Sequence, residues 1–194
     1  MAASMTLEER IAAALARRDI EAAATEAIRG YGPQILGYLR TVMGDAEDAA
    51  EVFSQFAEDL WKGLGGFRGE CSVRVWAYRL AWHAASRFGR DAYRKRRERL
   101  PSGYASQLAE TLLSTPGSAA EKRSAEVQRL RQYLGPEEQT LLVLRVDRQL
   151  SWREVAQVMA GEGDPVDAAT LRKRFERLKD KLAQLARAKG LLEP

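Results

Sequence analysis

Trp82, His83, Ser86, Arg87 and Arg90 follow Val75 and Arg79 along the chain at spacings of three and four. On a helix that spacing brings an indole, an imidazole, a hydroxyl and guanidinium groups onto one face. A mixture of this kind suits nucleic acid whose bases are exposed. Aromatic rings stack on unpaired bases for about 1–3 kcal/mol per base, and arginines hold phosphates. The competing readings of the same residues are burial of Trp82 against a neighbouring helix and an ordinary surface His83. The segment continues into "RDAYRKRR", where Arg94 and Lys95 sit in a run of positive charge suited to duplex phosphates.

A second cationic set lies in "AATLRKRFERLKDKLAQLARAKG". There Leu171, Phe175, Leu178, Leu182 and Leu185 make an apolar stripe, and Thr170, Arg172, Lys173 and Arg177 point away from it. A residue near the start of such a helix reaches base edges in a major groove, and a later one reaches phosphate. A solvated basic face is the alternative. The net charge is only +4, with 31 Lys and Arg against 27 Asp and Glu. The cations concentrate at residues 87–99 and 172–189, so the remainder is acidic, a distribution that fits two contacts with a polyanion.

The elements that must position these residues read as helices throughout. Leu and Ala dominate, and no run of alternating β-branched residues occurs. "LEERIAAALARRDIEAAATEAIRGYG" predicts one or two helices ending at Gly30 or Gly32, and "PQILGYLRTVMGD" predicts a new helix with Pro33 in its first turn and Gly44 as its stop. From about Asp45 to Leu64, Phe53, Phe56, Ala57, Leu60, Trp61 and Leu64 recur at helical spacing, while Glu47, Asp48, Glu51, Gln55, Glu58 and Asp59 occupy the other face. "KGLGGFRGECS" is a glycine-rich loop, followed by a long helix over about 72–97 whose core stripe is Val73, Trp76, Ala77, Leu80, Ala81, Ala84 and Phe88.

Residues 101–120 are rich in Pro, Gly, Ser and Thr and read as a linker, with a second helical set starting at Glu121. Pro136 suits a first helical position, Ser151 and Glu154 form the spacing of a capping box, and Asp164 or Asp167 can cap the last helix. Helix, glycine-containing turn and basic helix in this order form a candidate helix-turn-helix. The expected architecture is all-α, with helical domains at 1–99 and 124–194 joined by a flexible linker over 100–123.

One Cys and one His exclude disulfides and Cys/His metal sites, and no phosphate-cradling loop or catalytic constellation is present. The expectation is a non-enzymatic protein without cofactors. No stretch reaches the ~20 apolar residues of a membrane span, and "MAASMTLEER" lacks a signal-peptide core, so a cytoplasmic protein without membrane insertion is expected. Cys71 reads as a small residue filling a loop rather than a redox sensor.

These segments together resemble the extracytoplasmic-function (group 4) sigma factors of bacterial RNA polymerase, within the sigma-70 class. "DAEDAAEVFSQFAEDLW", "FRGECSVRVWAYRLA" and "RDAYRKRR" resemble sigma region 2, and "LGPEEQTLLVLRVDRQLSWREVAQVM" with "ATLRKRFERLKDKL" resembles region 4. The resemblance implies that Glu47, Asp48, Glu51, Gln55, Glu58 and Trp61 meet the clamp helices of the polymerase β′ subunit, with the β flap as a further polymerase contact. It implies that Arg68, Glu70, Cys71 and Ser72 pocket a flipped base of the −10 element, beside Arg79, Trp82, His83, Ser86, Arg87, Arg90, Arg94 and Lys95. Flipping costs a few kcal/mol, which a loop pocket and stacking can offset.

Thr170, Arg172, Lys173, Arg174 and Arg177 would read the −35 element, with Thr170, Arg174 and Arg177 on the family's T-V-x-x-R-x-x-R pattern and Leu171 in place of its Val. Promoter DNA and core polymerase are the implied partners, and an anti-sigma factor is a further one. The chain departs from the family pattern at Ser54, commonly Gln, and at His83, usually Asn or Gln. "DAED" lies further upstream of Trp61 than expected, and "AGEGDPVDAA" is a longer turn than the family's. Two other functions remain open on the sequence: a helix-turn-helix regulator that does not engage polymerase, and a polymerase-binding protein without promoter recognition.

Overall fold

The computed structural model describes residues 5–97, 130–131, 133–161 and 165–189, with backbone only for 91–97. The expected linker over 100–123 and the helical start at Glu121 lie outside the described residues. Every regular element among those described is helical. In chain order they are α1 (Leu7–Ala16), α2 (Ile20–Met43), α3 (Ala46–Leu64), α4 (Val73–Arg97), α5 (Pro136–Leu142), α6 (Trp152–Met159) and α7 (Ala168–Ala188). A π-helical turn, Val143–Asp147, continues α5.

The ends of these helices follow local chemistry. Thr6 and Glu9 form a reciprocal capping box on α1, the Glu9 carboxylate accepting from the Thr6 N–H at 2.7 Å. Asp45 caps α3 by accepting from the Glu47 and Asp48 amides at 2.8 and 2.9 Å. Gly44 stops α2 in a left-handed conformation, φ +70°, that a β-carbon disfavours. Pro136 begins α5, and Ser151 with Glu154 boxes the start of α6, both as the spacing predicts. Asp167 is the residue before α7, but no side-chain cap bond forms there.

One expectation is corrected. Gly30, Gly32 and Pro33 do not separate two helices; α2 runs through all three. Gly30 serves close approach instead. A β-carbon there would come within 2.1 Å of Leu7 Cδ2, whereas one on Gly32 would meet Phe53 Cζ at an ordinary contact distance of 3.4 Å. Tertiary packing of α1 and α3 onto α2 thus outweighs the lost amide of Pro33.

α2 and α4 are the central helices. α1, α3 and α4 pack on α2, and α3 packs on α4. Phe56, Leu60, Leu39, Ile35 and Ala81 are wholly buried in this core. The C-terminal helices join it: α6 lies along α4, α5 meets α2, and α7 closes over α5 and α6. Leu144, Leu150, Val155 and Val158 are therefore buried in a core continuous with that of α1–α4.

Candidate nucleic-acid and polymerase contact faces

α3 divides by polarity. Val52, Phe56, Leu60 and Leu64 point inward, and Glu47, Glu51, Gln55 and Glu58 lie exposed on the outside. Trp61 stands among them as a large indole with 45% of its surface in solvent. Glu58 is held by Lys62 one turn on, and Gln55 donates to Asp59 at 2.9 Å. Asp48, expected on this face, lines instead a cleft beside α4. Ser54 is exposed, and its hydroxyl turns back to the Ala50 carbonyl at 3.0 Å.

The loop before α4 holds Arg68 and Glu70 in solvent and turns at Gly69, φ +72°. Cys71 is half-buried there, and burial pushes its thiol above the ordinary range. Ser72 caps α4 by accepting from the Val75 amide at 3.2 Å. The next donors go to a residue far away in sequence. Glu8, on α1, accepts from the Val73 and Arg74 amides at 3.0 and 2.9 Å, and from the Tyr31 hydroxyl at 2.6 Å. A carboxylate at a helix N-terminus satisfies free amides and complements the dipole. Burial, and then that bond to Glu8, raise the Tyr31 phenol above its usual range.

Along α4, Val73, Ala77, Ala81 and Ala84 are buried as expected. Val75 is not on the contact face; it is 1% exposed and packs in the core, as does Tyr78, whose ring meets Tyr38 edge-on at 5.7 Å. α4 packs against α2, α3 and α6, and Val75 belongs to the core they share. Trp82, His83, Ser86 and Arg87 are half-buried, and Arg79 and Arg90 are exposed. Arg87 is paired with Asp59 on α3. The side chains of Arg94 and Lys95 lie outside the described part.

Trp82, His83, Ser86, Arg87 and Arg90 all line one cleft of about 1180 Å³. Its opposite wall comes from the C-terminal helices and includes Glu137, Met159, Leu171 and Arg174. These five α4 residues thus share one wall of the cleft, and Val75 and Arg79 do not line it.

On α7, Thr170, Arg172, Lys173, Arg174 and Arg177 are all exposed, and Leu171 and Leu178 are buried. They do not share one direction. Arg172 and Arg145 both lie over the Trp152 ring, at 5.8 and 5.0 Å. Arg174 turns to Glu137 at 3.7 Å, and Arg174 and Arg177 line a recess with Glu137 and Glu138. Lys181 donates to Glu138 at 2.7 and 2.9 Å. Partial burial raises the Glu138 carboxyl, but the Lys181 bond and the Gly135 amide outweigh it and hold it below the usual carboxylate value.

Sequence reasoning missed the residues that join the two halves. The hydroxyls of Tyr38 and Thr140 hydrogen-bond at 3.1 Å, and Thr140 is the one fully buried polar residue among those described. Arg148 donates to the Gln34 carbonyl on α2 at 3.3 Å, and Arg74 on α4 donates to the Arg148 carbonyl at 2.9 Å. A Thr in the middle of an apolar run, "EEQTLLVL", was the available signal for a buried hydroxyl.

Residues 27–99, the span from α2 through α4, match the Sigma-70 region 2 family. The chain is similar to "RNA polymerase sigma factor YlaC" of Bacillus subtilis, with 26% identity over 151 residues covering 76% of this chain and 86% of the relative. No helix among the described residues is long and apolar enough to cross a membrane, and no group of three or more His, Cys, Asp or Glu gathers among them to hold a metal.

Proposed function

We propose that this protein is a sigma factor that binds core RNA polymerase and directs promoter recognition and opening. The observation that carries the reading is the coincidence of the region 2 match with two differently built faces, an exposed acidic-aromatic face on α3 and an aromatic-cationic face on α4. The first suits a protein partner. An exposed Trp ringed by carboxylates offers a large apolar anchor and a charge pattern that selects a basic surface. In this reading Glu47, Glu51, Gln55, Glu58 and Trp61 dock on the β′ clamp helices.

The second suits DNA strands that have separated. Trp82 supplies a stacking surface, His83 and Ser86 supply polar edges, and Arg79 and Arg90 supply phosphate contacts. Loop residues Arg68 to Ser72 stand at the end of the same helix, where a displaced base can be received. On α7, Thr170, Arg172 and Lys173 are the residues directed to the −35 element, in a helix-turn-helix formed by α6 and α7. The function requires no catalytic group and no cofactor.

The test is reconstitution. Purified protein added to core RNA polymerase is expected to form a stable complex and to start transcripts at defined positions on genomic DNA fragments. Failure to bind core would end the reading, and binding without specific initiation would favour a polymerase-binding protein that has lost promoter recognition.

A further inference from the structure

We infer that Glu8 is a positioning residue for promoter opening: its carboxylate, on α1, holds the loop from Arg68 to Ser72 in the shape that receives a displaced base, without itself touching DNA. The inference rests on the proposed function and gives a part in it to a residue outside the matched span of 27–99.

The loop is tied at both ends. At its start the Phe67 ring packs on Trp76 of α4 at 5.2 Å, and Trp76 lies so close to α3 that a β-carbon on Gly63 would meet it at 3.0 Å. The Phe67 amide donates to the Leu64 carbonyl at 3.2 Å. At its far end stands Glu8. Oε2 accepts from the Val73 amide at 3.0 Å, and Oε1 accepts from the Arg74 amide at 2.9 Å. Oε1 also accepts from the hydroxyl of Tyr31, a buried residue of α2, at 2.6 Å. Three helices therefore fix the first backbone atoms after the loop. Between the two ties Arg68, Gly69 and Glu70 are exposed, and the chain turns at Gly69 with φ +72°.

A carboxylate is the group this geometry requires. The two amides and the phenol are all donors, and a glutamine would turn an NH2 group towards at least one of them. The tie bears on opening through preorganisation. A loop ordered before it meets its ligand loses less entropy on binding than one ordered by the ligand. Unstacking a base is already costly, so a pocket that must also be ordered captures it poorly.

The experiment uses holoenzyme assembled from core RNA polymerase and the wild-type, Glu8→Gln or Asp19→Ala chain. Asp19→Ala loses a helix cap of the same kind, at the start of α2, together with the same unit of negative charge. Affinity is read by anisotropy of a fluorescein-labelled fork of promoter DNA, taken from a fragment that the wild-type holoenzyme transcribes, with its −10 strand left unpaired. Glu8→Gln is expected to bind the fork at least about fivefold more weakly than wild type, as a smaller competent fraction requires, and Asp19→Ala to stay within about twofold. Removing an acidic charge should favour DNA by charge alone, so a loss reports the loop. The same forks are then made with one base at a time removed from the unpaired strand. At one position the missing base is expected to bring wild type and Glu8→Gln to equal affinity, because the loop has nothing left to receive.

Equal affinity of wild type and Glu8→Gln for the intact fork, an equal loss in Asp19→Ala, or a deficit that persists at every abasic position would each overturn the role of Glu8 and leave the sigma-factor reading standing. Failure of the wild-type chain to bind core or to initiate would overturn both. Should Glu8→Gln lose helicity by circular dichroism, Glu8→Asp, which keeps the charge and draws the acceptors back by one methylene, takes its place with the same expected outcomes.

Discussion

The outer face of α3 and the Trp82 face of α4 are assembled from similar parts, an indole set among charged and hydrogen-bonding groups, yet they stand in opposite surroundings. Trp61 is 45% exposed on a helix with described neighbours on one side only. Trp82 is half-buried on a helix that packs against α2, α3 and α6. A peripheral helix can offer a contact face at all times. A central helix has a neighbour on nearly every side, so any contact face it carries is available only as that neighbour allows.

The substitution expected to separate the two faces most strongly is Trp61→Ala. In a buried partner interface an indole anchor is worth about 2 kcal/mol or more, roughly thirtyfold in affinity. Core polymerase binding, measured by competition, should fall by that amount, while folding stability falls by less, about 1 kcal/mol, because the ring is only partly buried. An unchanged core affinity would remove α3 from the contact surface and collapse the contrast. Next comes Trp82→Ala, with an expected loss of about 1–3 kcal/mol in strand binding. It should impair opening of closed duplex more than use of a pre-melted template, and should leave core binding intact. Equal defects on both templates would argue against a melting role, and His83→Ala checks the same point.

Glu8→Gln probes how the α4 face is held in place. It should cost about 1 kcal/mol in thermal unfolding, the range of a lost helix cap, and should speed hydrogen exchange at the Val73 and Arg74 amides. Exchange that accelerates equally along the whole helix would mean that Glu8 does not hold its start. The smallest effect concerns the C-terminal helices. Glu138→Gln removes the partner of Lys181, a pair more than a third exposed on both sides, and should cost about 0.5 kcal/mol at neutral pH. Because the folded carboxyl sits below its ordinary value, this stability is present above the usual carboxylate pKa and is lost as pH falls through the folded value. The difference in Tm between wild type and variant should therefore shrink below roughly pH 4. A gap that persists there would assign the effect to packing.

Local signals in the sequence carried most of the helices. The Ser151/Glu154 box, Pro136, Gly44 and Asp45 mark helix ends where the structure has them, because caps act through neighbours in sequence. Gly30, Gly32 and Pro33 misled: Leu7 arriving from α1 sets the role of Gly30, and the helix runs on through Gly32 and Pro33. The same limit applied to the site. Helical spacing is enough to put Trp82, His83 and Ser86 on one face, but Val75 shares that spacing and is buried in the core. Arg172 and Arg174 share a helix turn and differ in partner, since Trp152 claims one and Glu137 the other. Contacts of Thr140 with Tyr38 and of Arg148 with Gln34 span more than a hundred residues, a distance over which no periodicity speaks.

α1 lies outside the span that matches the family, yet Leu7 is seated over Gly30 and Glu8 bonds the first amides of α4. A recombinant fragment cut at residue 27 would satisfy a sequence alignment and still leave two backbone donors and an apolar groove uncovered. The smallest piece of this chain fit for crystallisation or for mixing with polymerase therefore begins upstream of Thr6, where its own capping box starts.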